Sequence, residues 1–126
     1  MDDSNPAYFS SPVRLARPLI DEFCRSQFCP TRHRWHARTS LPVLALFVAM
    51  TVEPTPHSLG WDGFDPDELL RASLEADPHE HGFLRDLLDV SASFYAFLAD
   101  AGEVPRWRGA AIRARLAKLA LGLTPR

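Results

Sequence analysis

The sequence predicts an all-α fold, a small bundle of four to five helices that ends in a C-terminal helical hairpin. Two observations carry most of that prediction. Apolar residues recur at three- and four-residue spacing in several segments, and Ser-Pro or Asp-Pro pairs stand where helices should begin. A third is that 126 residues, 46% of them hydrophobic, suffice for one domain with its own core.

Taken in order, residues 1–11 are polar, carry Pro6 and three serines, and read as a flexible N-terminal arm before a single helical domain over 12–126. Ser11-Pro12 caps a first helix whose apolar face holds Val13, Leu15, Leu19, Ile20 and Phe23. Pro18 interrupts that pattern and predicts a kink or a late start, and the segment should end before Pro30. Residues 31–38 read as a polar, aromatic connector. Ser40-Leu41-Pro42 then looks like a second cap, leading into the apolar run Val43 to Val52. Its valines allow a buried strand, but the cap chemistry favours a helix.

Prolines and glycines from residue 53 to 64 mark a loop, with Trp61 and Phe64 as anchors. Asp65-Pro66-Asp67-Glu68 is a well-formed helix start, followed by Leu69, Leu70 and Leu74 and ended at Asp77-Pro78. The longest helix is expected from about His79 to Asp100. Phe83, Leu87, Val90, Phe94 and Phe97 form one stripe of it, and Leu84, Leu88, Tyr95 and Leu98 a second. Two adjacent stripes make the broad apolar face of a central helix. Gly102 closes that helix. A last helix, from about Pro105 to Leu121, carries Ile112, Leu116, Leu119 and Leu123 on one side. Arg106 and Arg113 flank that side on one edge, and Arg108 and Arg115 on the other.

The net charge of −2 hides three opposed blocks. Residues 1–38 carry +2, residues 39–103 carry −10, and residues 104–126 carry +6 with no acid at all. Either the basic ends fold back onto the acidic middle, or they meet the acids of another molecule.

The motifs that would announce catalysis are missing from the sequence. There is no Gly-x-Ser-x-Gly elbow, phosphate-cradling glycine loop, Cys-x-x-Cys or His-Glu-x-x-His, so no catalytic residue is expected. Cys24, Cys29, His33 and His36 place four zinc-compatible ligands within 13 residues. Their crowding makes it hard for one short loop to wrap them around an ion. A core cysteine, a second near the helix end and two surface histidines is the plainer account. No cofactor other than zinc is suggested.

Two basic, aromatic patches remain as binding candidates. One holds Arg32, Arg34, Trp35 and Arg38; the other holds Arg106, Trp107, Arg108, Arg113, Arg115 and Lys118. Arginine pairs bidentately with carboxylate or phosphate, and tryptophan packs into protein pockets or stacks on unpaired bases. The expected function is therefore a small regulatory protein that binds a partner protein, or a second copy, through its Arg-rich last helix. The alternatives are a nucleic-acid-binding accessory protein and a zinc-stabilised module. No apolar run is long enough for a transmembrane segment. The acidic start lacks the basic and apolar regions of a secretory signal, which suggests a cytoplasmic protein.

Overall fold

The computed structural model describes residues 11–52, 59–77, 79 and 81–123. Five α-helices run in the order α1 (Ser11–Arg25), α2 (Arg34–Thr51), α3 (Pro66–Ala76), α4 (His81–Asp100) and α5 (Arg106–Gly122). One 3-10 turn, Thr31–His33, leads into α2, and another, Trp61–Gly63, precedes α3. No strand occurs among the described residues. The expected arm over residues 1–11 lies, up to residue 10, outside the described residues, and Ser11 already opens α1.

The first helix starts at Ser11 as expected, with no late start after Pro18, whereas α2 starts earlier than the sequence reading has it. Pro18 lies inside α1, and Pro42 inside α2, without ending either helix. A proline in a helix removes one hydrogen bond, to the carbonyl four residues earlier. Those carbonyls belong to Arg14 and Arg38, both exposed residues, so water can satisfy them. The expected connector over 31–38 is consequently a 3-10 turn followed by the first turn of α2. Ser40 is no cap; it is buried in mid-helix between Ala37 and Leu41. Burying Ala37, Leu41, Leu44, Ala45 and Val48 on one face outweighs the local preference of Ser-x-Pro for a helix start.

Elsewhere the local chemistry acts as expected. Asp65 caps α3 by accepting from the Asp67 backbone N–H at 3.0 Å, with Pro66 in the first helical position. Gly102 adopts φ +82° after α4. There the Glu103 N–H donates to the Leu98 carbonyl at 2.8 Å and the Gly102 N–H to Ala99 at 3.2 Å. This is a Schellman closure, which satisfies carbonyls that a helix end leaves open. The chain then turns straight into α5, and α4 and α5 pack along their length as the predicted hairpin.

Helix α4 is the centre of the core. Leu84, Leu87, Leu88, Val90, Phe94, Tyr95, Phe97 and Leu98 are all buried, so both predicted stripes face inward except at Phe83, in the first turn, which is exposed. Phe94 meets Phe23 of α1 and Trp61 of the 3-10 turn, each edge-on with ring centroids 5.3 Å apart. Phe64 stacks on Tyr95 at 5.4 Å. The Tyr95 hydroxyl donates to the Trp61 carbonyl at 2.7 Å. That bond satisfies a buried phenol, and burial pushes its pKa well up.

Candidate interaction surface

The arginines of α5 divide along the helix's two edges, and the two edges meet different neighbours. On one, the Arg115 guanidinium donates from Nε and Nη2 to the Asp67 carboxylate of α3, at 2.9 and 2.5 Å. This fork-to-carboxylate pairing holds the Asp67 carboxyl below the ordinary carboxylate range. Two turns earlier, Arg108 donates from Nε to the Asp62 carbonyl at 2.7 Å and from Nη2 to the Phe64 carbonyl at 3.1 Å. Arg108 and Arg115, counted from sequence among the binding residues, are thus engaged within the chain. They clasp α5 to the Trp61–Gly63 turn and to α3, so the basic C-terminal block does fold back, in part, on the acidic middle.

The other edge stays open. Arg106 and Arg113 there, and Lys118 on the outer face, are exposed and have no hydrogen bond or ion pair among the described residues. Beside them Trp107 is 73% exposed and Leu121 73%. Burying so much apolar surface in a partner would be favourable; leaving it in water is not. Between this edge and α4 lies an open groove of about 630 Å³, lined by Ala92, Ser93 and Ala96 of α4 and by Ala110, Arg113, Ala114 and Ala117 of α5. An adjoining hollow of about 420 Å³ extends it towards Arg106 and Asp100. Phe28 lies against both.

The first patch is laid out differently. Trp35 is 70% exposed and packs its ring edge-on against His36, centroids 5.1 Å apart. Arg38 donates to Asp21 at 3.2 Å and ties α2 to α1. Arg32 and Arg34 are both exposed.

The four candidate zinc ligands do not converge. Among the described residues no three His, Cys, Asp or Glu side chains come together as a group able to hold a metal ion. Cys24 and Cys29 are free, buried thiols, and the Cys29 Sγ–H donates to the Pro30 carbonyl at 3.7 Å. Burial pushes both pKa values up, against the opposing pull of Arg38 on Cys24 and of Arg34 on Cys29. That leaves them protonated and poor nucleophiles. His36 instead approaches Asp86, at 3.9 Å. The acidic surface of α3 is likewise spoken for, since Arg71 bridges Glu68 and Glu75.

His33 is buried, 9% exposed, and its Nδ1 has no hydrogen-bond partner among the described residues. Burial holds its pKa below 6.5, helped by Arg32 and opposed by Asp89. The unfolded chain therefore takes up this proton first on acidification. The stability tied to neutral His33 is complete above pH 6.5 and is lost as pH falls through the lowered folded value. Urea unfolding between about pH 7.5 and 5 should show stability falling with pH, and His33→Leu should flatten that slope. An unchanged slope in the variant would show that other groups control it.

No protein-family model matches the chain, and neither the curated proteins nor the solved structures compared with it include a match. No helix among the described residues is long and apolar enough to cross a membrane.

Proposed function

We propose that this chain is a non-catalytic interaction protein that docks a partner protein on the open edge and outer face of α5, through Arg106, Trp107, Arg113 and Lys118. The observation that carries the reading is the division of labour along that helix. Two arginines are spent on internal clasps, while the remaining cations and a 73% exposed tryptophan have nothing to bind within the described chain. Tryptophan and arginine are the residue types that dominate binding energy at protein interfaces. Rim charges of one sign add speed and selectivity to docking. Two buried free thiols fit a reducing, cytoplasmic setting.

The test is capture of partners from native lysate on the intact chain, with and without nuclease, alongside the Arg106→Glu/Arg113→Glu variant. Both positions are exposed, so the variant should keep the wild-type melting temperature. A protein partner should survive nuclease and be lost from the variant. Release by nuclease would favour the accessory-protein reading, in which Arg32, Arg34 and Trp35 also contact nucleic acid and affinity falls steeply with salt. Capture that is unchanged in the variant would rule out docking on α5.

A further inference from the structure

We infer that the groove between α4 and α5 receives an acidic amphipathic helix of a partner protein. This rests on α5 being the docking element, and it adds which side of α5 is used and what fills it.

The shape of the groove sets the first requirement. Apart from Arg113, its α4 and α5 walls are alanines and a serine, which project little, and Gln27 and Phe28 stand at its side. A third helix could therefore lie close against both α4 and α5, near the ~8 Å lower limit of interaxial distance. The bulk must then come from the occupant, as large apolar residues at helical spacing. Phe28, half-buried at the side of the groove, offers them an aromatic contact.

The two most exposed apolar residues of α5 set the length. Trp107, Ala114 and Leu121 recur every seven residues, close to two helical turns, and so form one line along α5; Ala114 belongs to the groove wall. From Trp107 to Leu121 that line runs about 21 Å at ~1.5 Å per residue. An occupant covering it needs about four to five turns of helix.

Charge decides what the occupant is. Arg113 stands on the groove wall and Arg106 at its far end, both without an ion-pair partner among the described residues; Asp100 is the one acid lining either hollow. Residues 104–126 contain no acid and carry +6. A second copy laid α5 against α5 would bring two such segments together, which like-charge repulsion opposes. A helix with carboxylates flanking an apolar ridge answers both the rim and the floor. A phosphate backbone answers the rim alone and leaves Trp107, Leu121 and the alanine walls without apolar cover.

The experiment measures binding of labelled peptides to the intact chain by fluorescence anisotropy. The probe is a helix of about 18 residues with leucines on one face and glutamates on both flanks. One control keeps the leucines and replaces the glutamates by lysines; another is a labelled single-stranded oligonucleotide. The glutamate-flanked helix should bind at least about tenfold more tightly than the lysine-flanked one. Arg113→Glu should weaken it by about tenfold or more, and so should Ala114→Trp, which fills the groove from an exposed position without disturbing the core. Trp35→Ala, on the other patch, should leave it unchanged.

Equal binding of the two peptides would overturn the inference, as would an unaffected Ala114→Trp variant. So would competition by the oligonucleotide, or self-association that shields the groove. The two readings fail separately. If Ala114→Trp keeps the native partner while Arg106→Glu/Arg113→Glu loses it, α5 docks its partner but the groove is not the seat. If neither variant affects the native partner, both readings fall.

Discussion

Truncating Phe94 to alanine should destabilise the protein by about 3–5 kcal/mol. Its ring is fully buried and lies where three parts of the chain meet: Phe23 from α1, Trp61 from the turn before α3, and Phe97 one turn on in α4, at centroid distances of 5.3, 5.3 and 6.1 Å. The loss combines the transfer free energy of the ring with the cavity left behind. That cavity cannot close easily, because its walls belong to separate elements. Edge-to-face geometry adds about 0.5–1.5 kcal/mol per aromatic pair beyond buried area. Set against the ~5–15 kcal/mol stability of an ordinary domain, the substitution removes a large share. Urea titration should show the midpoint falling with little change in slope. Phe83→Ala is the control on the same helix. That ring is 44% exposed, and its removal should cost well under half as much. Equal effects at the two positions would mean that the aromatic junction is not what holds α4 in place.

The contrast between Phe94 and Phe83 also marks how far sequence spacing reaches. Periodicity placed both in one stripe, and it identified the buried face of α4 correctly for every member except the one in the first turn. Spacing says which way a side chain points, but not whether a neighbour extends far enough to cover it. The same limit applies on α5. The 100° rotation per residue separates Arg106 and Arg113 from Arg108 and Arg115 by sequence alone. It could not show that the second pair closes on Asp67 and on the carbonyls of Asp62 and Phe64, residues 44 to 48 positions away. Charge blocks of opposite sign announced that some such pairing was available, while its partners depended on where the loop carried α3.

Helix starts were readable where local and tertiary preferences agree, as at Asp65-Pro66, and misleading where they conflict. At Ser40-Leu41-Pro42 the local chemistry describes a cap, yet the buried face of α2 continues through it. The four candidate zinc ligands lie apart among the described residues for a related reason. Four suitable side chains close in sequence are held apart by the helix end and the 3-10 turn, which send the thiols together into the core and His36 towards Asp86.

Gly109 is the position where the hairpin and the groove depend on a single missing methyl group. It is buried on α5, and a Cβ built there would lie 2.9 Å from the Ala99 Cβ and 3.3 Å from Val104 Cγ2. Real Cβ atoms do not approach that closely, and Ala99 sits on a helix that cannot rotate its methyl away. Two effects oppose each other in Gly109→Ala. Helix propensity gains about 0.8–1.0 kcal/mol, while overpacking costs about 1–3 kcal/mol. The second wins because the obstruction is a backbone-anchored carbon, so the variant should be modestly less stable than wild type. Gly109→Leu should be far worse, with a loss of about 3 kcal/mol or more, since a similar propensity gain is set against three further carbons in the same space. A more stable Gly109→Ala would show that α4 and α5 can separate without cost. The substitution should also alter docking in a direction its stability does not dictate. Parting α4 from α5 by a few tenths of an ångström moves the Ala96 and Ala110 walls apart, and a groove so widened should hold a helical ligand less tightly even where the protein remains folded. Measuring unfolding and ligand affinity on the same Gly109→Ala sample separates the two consequences.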